Sequence, residues 1–318
     1  MDFTTKVPVK LYEFPINYDS SLLSLGSCFA ENMGEKFDYF KFRINTNPFG
    51  IIFNPVSIER LVERVVNKKS FTEADIFFQN DVWQSYEVHS ECSQSDKDTL
   101  LQQLNTSAEN MYRQITEATH IIITFGTSWV YRLKTTNEIV ANCHKVPQKE
   151  FSKEILSPET IQQSIQNTMD LIRQINPDCR FIFTVSPVRH TKDGFPENQR
   201  SKAHLITALQ NLLNTQPCAR NTNYFPSYEI MMDELRDYRF YADDMLHPSQ
   251  AAIDYIWICF FENYVNADCF ATMQEVCNIQ KGLAHRPFNP DTTSHQQFLE
   301  TLNQKIIRLQ SQFPQFQF

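Results

Sequence analysis

Two kinds of hydrophobic pattern alternate along this chain. Continuous apolar runs at Ser21–Leu25, His120–Phe125 and Arg180–Val185 are typical of strands that are buried on both faces. Between them, apolar residues recur every three or four positions, as on one face of a helix. This alternation predicts an α/β fold with a mostly parallel central sheet, right-handed crossovers and helices on both faces.

Cap and turn residues set the ends of the predicted elements. Asn54-Pro55 and Ser157-Pro158 place proline at the first position of a helix, and Asn176-Pro177 ends the second of these helices. Further helices are predicted over about 30–40, 96–116, 198–213 and 249–264. Two segments, Phe42–Ile52 and Asn223–Phe225, are predicted as additional strands.

The sequence predicts one domain over residues 1–265, with inserted hairpins and a C-terminal extension. Residues before Tyr18 are predicted to form an edge strand or an arm. Two β-hairpins are inserted, over residues 71–89 around Asn80-Asp81 and over residues 130–141 around Thr136-Asn137. Residues 266–318 predict a helical extension packed on the same body, with a break at Arg286-Pro287 and a final stripe of Leu299, Leu302, Ile306 and Leu309.

The composition argues against several classes of partner. The formal charge is -8 and no region is strongly basic, so we expect no nucleic-acid partner. The N-terminus has no apolar signal core, and the longest apolar candidate, Tyr255–Phe261, is far shorter than the ~20 residues of a membrane span. We therefore expect a cytoplasmic protein with no membrane partner.

Cysteine and glycine usage carries further information. The eight cysteines include no C-x-x-C pair, which favours reduced thiols over a disulfide framework or a zinc cluster. The chain contains neither G-x-G-x-x-G after a strand nor a P-loop motif, which argues against nucleotide binding. We expect no metal and no cofactor. Only six glycines are present, and their scarcity suggests that Gly26, Gly50, Gly126 and Gly194 serve sharp turns or close backbone approach. The alternative is that they lie in ordinary turns.

The turn after the first predicted strand carries the first candidate for chemistry. Ser27 follows Gly26 at the mouth of a helix, at the carboxyl end of a strand, where open α/β sheets bind their ligands. Its own N–H is predicted to be among the unpaired donors of a helix start. The alternative is that Ser27 is only a helix N-cap.

The second candidate follows the last predicted strand. In Asp244-Met245-Leu246-His247, the carboxylate can turn onto the imidazole Nδ1, which fixes the tautomer and leaves Nε2 for a substrate. The alternative is an exposed acidic turn before a helix. If the first strand is central in the sheet, its exit loop and this one can converge, and the chain order Ser, Asp, His occurs in several hydrolase folds.

These residues carry a resemblance to a known family. Gly26-Ser27-Cys28-Phe29-Ala30 matches the motif that names the GSCFA family, which belongs with SGNH/GDSL-type hydrolases. Asn47-Pro48-Phe49-Gly50, Asn142-Cys143-His144-Lys145, Ser186–His190 and the region from Tyr238 to His247 also match, so the resemblance spans roughly residues 18–265. It implies a flavodoxin-like α/β/α sandwich in which Ser27 is the nucleophile, His247 the general base and Asp244 its orienting partner.

The resemblance leaves the oxyanion hole open. The glycine of the second conserved block is matched by Gly50, but the glycine–asparagine pair of the third block is absent, because Thr127 and Ser128 follow Gly126. Asn142, Asn47 or Ser128 is then a candidate for the missing donor. Arg189, His190 and His144 are candidates for the pocket wall, with surface charge and loop packing as the alternative.

The function expected from these residues is acyl transfer from a small ester, such as an O-acetyl group on a carbohydrate. Water or a second hydroxyl can accept the acyl group, so an O-acyltransferase is the nearest alternative. A different alternative is a module that binds an acylated glycan without turning it over. A cysteine nucleophile at Cys28 or Cys143 is disfavoured, because free cysteines are mostly small buried hydrophobes.

Overall fold

A five-stranded parallel sheet forms the centre of the protein. The computed structural model describes residues 4–215 and 221–318 of the chain. In the central sheet every neighbouring pair of strands is parallel. The strands are β1 Ser21–Gly26, β2 Arg43–Thr46, β3 Phe77–Gln79, β4 Val82–Gln84, β5 His120–Phe125, β6 Trp129–Leu133, β7 Glu138–Val140, β8 Phe151–Ile155, β9 Arg180–Val185 and β10 Thr222–Phe225.

The strand order of the central sheet places a ligand crevice beside β1. The order is β10-β9-β5-β1-β2. If the five strands are renumbered 1 to 5 in chain order and read from the β2 edge, the order is 2-1-3-4-5, as in flavodoxin-like sheets. In such sheets the strand order reverses between the first and third strands, which here are β1 and β5. The middle strand is thus β5 rather than β1, but β1 borders the switch point, where such sheets open a crevice at their carboxyl edge.

Helices cover both faces of the sheet, which confirms the predicted three-layer fold. Residues Leu61, Met111, Ile165 and Leu209 belong to one core. The other core contains Phe37, Trp257, Val276 and Leu309. The helices are α1 Cys28–Tyr39, α2 Pro55–Val66, α3 Lys97–Glu117, α4 Pro158–Ile175, α5 Phe195–Thr215, α6 Ser227–Glu229 with a π-helical turn over Ile230–Glu234, α7 Gln250–Tyr264, α8 Phe270–Leu283 and α9 Thr293–Gln312.

The expected caps form where the sequence places them. The side chains of Asn54, Ser157 and Ser249 each accept a hydrogen bond from the amide three residues later, at the starts of α2, α4 and α7. Helix α5 starts at Phe195, three residues earlier than expected. Asn80 and Asp81 both have positive φ, as a tight hairpin turn between β3 and β4 requires.

One predicted strand is shorter in the structure, and one observed strand was not predicted. Strand β2 ends at Thr46, although the sequence predicted extension to Ile52. Asn47 and Gly50 have left-handed φ values of 46° and 72°, and the Gly50 N–H closes a turn on the Asn47 carbonyl. The sequence also gave no indication of β8, which is held by antiparallel pairing with β6 rather than by a pattern of its own.

The C-terminal helices pack on the second core. Leu302 and Leu309 of α9 are buried there, whereas Leu299, which was expected on the same stripe, is 48% exposed. Before β1, the arm is described from Thr4, and Ile16 pairs with Val265 in an isolated parallel bridge. In the described ranges, no helix has the length and apolarity that crossing a membrane would need.

Gly26 generates a prediction about folding. Its φ is +137°, and a Cβ there would lie 2.2 Å from the Thr124 carbonyl oxygen of the neighbouring strand. Because backbone cannot move aside as a side-chain tip can, Gly26→Ala is expected to lower the unfolding free energy by at least ~3 kcal/mol in urea titrations.

Gly282→Ala is the matched control. It lies in α8, where an added Cβ meets the tip of Leu302 at 2.8 Å and helix propensity favours alanine. We expect a change of under ~1 kcal/mol there. Equal stability of the two variants would contradict the account of the Gly26 turn.

Candidate active site

The turn at the end of β1 is fixed by Asn47. The Asn47 side-chain oxygen accepts the Gly26 N–H at 2.8 Å, and the Asn47 N–H donates to the Ser24 carbonyl at 2.9 Å. The Asn47 amide also lies 3.3 Å from a carboxylate oxygen of Glu31 in α1. Asn47 therefore supports the turn that presents Ser27, and its expected role as an oxyanion donor stays a prediction.

Ser27 caps helix α1 at the carboxyl edge of the sheet. Its hydroxyl accepts a hydrogen bond from the Phe29 N–H at 3.3 Å, and the residue is only 2% exposed. In the described part of the chain, no hydrogen bond links this hydroxyl to His247. Ser27 thus acts as the N-cap of α1, and in this conformation its hydroxyl is not hydrogen-bonded to the His247 imidazole.

The Ser27 amide is not free, contrary to the expectation from the sequence. It donates to the Thr124 carbonyl at 3.0 Å. The cause is the parallel pairing of β1 with β5, which matches Gly26 with Thr124 and continues one residue further. This bond removes the Ser27 N–H from the donors of a helix start, so an oxyanion hole in this conformation needs another amide.

Asp244 and His247 form the hydrogen bond that their spacing predicts. Asp244 Oδ2 lies 2.5 Å from His247 Nδ1, while Oδ1 accepts the N–H groups of Leu246 and His247 at 2.9 and 3.0 Å. These amide bonds, with the imidazole contact, hold the pKa of Asp244 at about 2. Both side chains are half-exposed, so an ionised carboxylate orients an accessible imidazole.

The loop after β9 joins the dyad to the centre of the sheet edge. The Arg189 N–H donates to the Leu246 carbonyl at 3.1 Å. His190 stacks on Phe53 with ring centroids 6.0 Å apart, and a Cβ on Gly126 would lie 3.5 Å from its Nε2. Burial, followed by the nearby charges of Lys202 and His247, lowers the pKa of His190 to about 3. His190 is therefore a neutral side chain between the exit of β5 and His247.

Lys202 is a site residue that the sequence reasoning missed. It is fully buried, and its Nζ donates to the carbonyls of Gly126 and Ser186, each at 2.7 Å. These carbonyls lie directly after the neighbouring strands β5 and β9. Burial raises the pKa of the Cys28 thiol, next to Ser27, and the charge of Lys202 partly opposes this rise. The available signal was its place on the apolar stripe Lys202, Leu205, Leu209 and Leu212 of α5.

Two of the expected oxyanion donors are engaged elsewhere. The Gly50 N–H donates to the Asn47 carbonyl at 2.8 Å, as described for the turn. Ser128 is fully buried, with its N–H bonded to Ser201 Oγ at 2.8 Å and its hydroxyl donating to the Ser201 carbonyl at 3.1 Å. Ser128 thus fastens β6 to α5, and its expected role as a substitute amide donor is wrong for this conformation.

Asn142 and His144 form a local turn. Asn142 Oδ1 accepts the His144 N–H at 2.8 Å. His144 is buried, bonds the Ser85 carbonyl through Nε2 at 2.7 Å and packs beside Phe77 and Tyr86. Burial lowers the pKa of His144. His144 is therefore buried in the packing around the hairpin insertions, a position that its expected place in a pocket wall did not anticipate. Asn142 is half-buried, and its expected role as an oxyanion donor stays a prediction.

The fold and site together define an α/β/α protein with an Asp–His dyad and a capping serine at one sheet edge. Residues 21–260 match the model of the GSCFA family, and residues 276–318 match the GSCFA domain protein, C-terminal domain. Because the first match covers about three quarters of the 318 residues, the chain belongs to the GSCFA family.

Other comparisons add little. No curated protein matches the chain. Five solved chains match it, among them the crystal structure of a carbohydrate esterase family 3 from Talaromyces cellulolyticus. That structure shares 9% identity over 81% of this chain and 99% of its own, with a TM-score of 0.38. A likeness this distant carries no argument about function.

Lys202 generates a pH prediction. Burial lowers the pKa of Lys202 to about 7, with the Cys28 thiol opposing the shift. An unfolded lysine has a pKa of about 10.4, so between these values the unfolded chain binds the proton that the folded chain lacks. Stability from this site therefore rises with pH across that window, by at most ~1.4 kcal/mol per pH unit.

The measurement compares urea unfolding of the wild-type protein and Lys202→Met at pH 7.5 and 9.5. The stability difference between them should shift in favour of wild type at the higher pH. The exposed Lys149→Met serves as control and should show a constant difference. A constant difference for Lys202→Met as well would mean that the folded protein holds Lys202 protonated throughout.

Proposed function

We propose that this chain is a serine acyl hydrolase of the SGNH type that cleaves a small ester, with an O-acetyl group on a carbohydrate as the favoured class. The observation that supports this most is the 2.5 Å Asp244–His247 bond on a loop tied to the exit of β9, at the same sheet edge as Ser27. The ionised Asp244 favours the tautomer with its proton on Nδ1, which leaves Nε2 as the base.

In the proposed reaction, His247 Nε2 takes the proton from Ser27 Oγ as the oxygen attacks the ester carbonyl. The carbonyl electron pair moves onto its oxygen, and collapse of this intermediate expels the alcohol, which receives the proton from His247. Water then releases the acyl group by the same steps. Because Ser27 is only 2% exposed, ester binding requires the surrounding side chains to open.

The oxyanion needs a donor other than the amides expected from the sequence. The Phe29 and Ala30 N–H groups bond Ser27 itself, and the Ser27 N–H bonds Thr124. In the described chain the Cys28 N–H interacts with its own thiol sulfur and with no oxygen, and sulfur is a weak acceptor that a substrate oxygen can replace. We assign the oxyanion to the Cys28 N–H, and one such donor typically lowers a barrier by ~3 kcal/mol.

A non-catalytic binding module is the second candidate. It is supported by the burial of the Ser27 hydroxyl and by the lack of a hydrogen bond between that hydroxyl and His247. An O-acyltransferase would use the same three side chains and differ only in the acceptor. Labelling of Ser27 distinguishes the binding module from both enzymes, and product analysis with and without added sugar distinguishes the two enzymes.

The first functional prediction concerns the nucleophile. A fluorophosphonate probe should add one phosphonyl group to the folded protein, seen by intact mass spectrometry, and Ser27→Ala should abolish the addition. Ser24→Ala is the matched control, because Ser24 is buried in β1, three residues before Ser27, and its hydroxyl has no hydrogen-bond partner in the described chain. An unlabelled wild-type protein would support the binding module instead.

The second functional prediction concerns the dyad. Asp244→Asn should slow phosphonylation by on the order of 10²- to 10⁴-fold at pH 7.5, since an amide stabilises neither the tautomer nor the imidazolium. The adjacent exposed Asp243→Asn should react at the wild-type rate. Equal rates for Asp244→Asn and wild type would remove the dyad from the mechanism.

A further inference from the structure

Arg189 holds an unusual position beside the dyad. Its backbone N–H bonds the Leu246 carbonyl at 3.1 Å, so the residue lies one loop away from His247. Its guanidinium lies over the Phe195 ring, 5.1 Å from the centroid. Burial raises the pKa values of Tyr228 and Tyr241, and the charge of Arg189 opposes both shifts. The Arg189 side chain also forms a hydrogen bond with Tyr241, so three aromatic residues lie near this one cation.

The guanidinium has no acidic partner in residues 4–215 and 221–318, where no carboxylate forms a salt bridge with it. Two acidic residues of the neighbouring loops have other partners: Asp193 pairs with Lys153, and Asp244 with His247. Aromatic faces stabilise a cation without neutralising it. The charge of Arg189 therefore stays available to a ligand, in a protein whose net charge is -8.

The surface around Arg189 is open and aromatic. Phe195 is 64% exposed and Tyr238 is 70% exposed, and the Tyr238 ring lies 6.0 Å from that of Tyr241. The side chain of His247, which follows the Leu246 carbonyl that accepts the Arg189 N–H, is 50% exposed. Exposed rings next to a guanidinium that has no carboxylate partner are typical of a ligand-binding surface rather than of solvated surface.

We infer that Arg189 binds an anionic group of the substrate, so that the preferred substrates are esters that carry a carboxylate or a similar oxyanion near the scissile bond. A guanidinium fork matches the two oxygens of such a group, and the exposed Phe195 and Tyr238 rings supply flat contact area for a ring-shaped substrate. This inference rests on the proposed esterase function and narrows its substrate class.

The test uses matched acetate esters that differ in charge. 4-Acetoxybenzoate and 4-acetoxybenzenesulfonate are the anionic substrates, and methyl 4-acetoxybenzoate is the neutral one. For wild type, kcat/KM should be at least tenfold higher for an anionic ester than for the neutral one. The carboxylate and sulfonate arms show which oxyanion is preferred, and added salt should reduce the preference.

Variants assign the preference to Arg189. Arg189→Gln should bring the ratio of anionic to neutral kcat/KM to within about twofold of one, and Arg189→Lys should keep part of it, because a point charge lacks the fork. Arg173→Gln is the control, since Arg173 also lies over a phenylalanine, at 5.4 Å, but on α4. It should keep the wild-type ratio. Thermal unfolding of each variant verifies the fold.

The outcomes separate the two proposals. Hydrolysis of the neutral ester with no preference for the anionic ones, or an unchanged ratio in Arg189→Gln, overturns the role of Arg189 and leaves the esterase intact. If wild type hydrolyses none of the three esters and is not labelled by the fluorophosphonate, the esterase proposal fails and the substrate class with it.

Discussion

The parallel pairing of β1 with β5 is the constraint on which the site depends. Gly26 is opposite Thr124, and Thr124 is opposite Thr184 of β9, so three strands end at one level. β10 joins at the same level, because Phe225 is opposite Thr184. Each exit loop therefore starts from a common edge. Residues that are far apart in the chain, such as Cys28 and Lys202, come close enough to interact electrostatically.

The same pairing also limits the chemistry. It takes the Ser27 amide into the sheet and so removes the donor that most simply serves an oxyanion. Just beyond the ends of β5 and β9, the carbonyls of Gly126 and Ser186 each accept a hydrogen bond from the Lys202 ammonium or amine. Burying this amine is unfavourable for its charged form, yet it fastens two exit loops and disfavours a second charge on His190.

Local sequence patterns predicted most of the fold. Buried runs marked β1, β5 and β9, proline and asparagine marked the helix starts, and the D-x-x-H spacing predicted a hydrogen bond that depends on four consecutive residues. What the sequence did not reveal depends on partners distant in the chain. The Ser27 amide is engaged because the register of β1 and β5 brings it to the Thr124 carbonyl. The Ser128 amide is engaged by the Ser201 hydroxyl, and β8 forms through its pairing with β6. Lys202 lay inside a predicted helix, but its role could not be inferred without the positions of the Gly126 and Ser186 carbonyls.

The central claim is that Ser27 and the Asp244–His247 pair act as one site, although no hydrogen bond joins them in this conformation. The most direct measurement is a crystal structure of the protein after reaction with a fluorophosphonate. The account predicts phosphorus bonded to Ser27 Oγ, with His247 Nε2 within hydrogen-bonding distance of that oxygen or of the leaving-group position. A phosphonyl group on another side chain, or an imidazole of His247 that stays remote from the adduct, would contradict it.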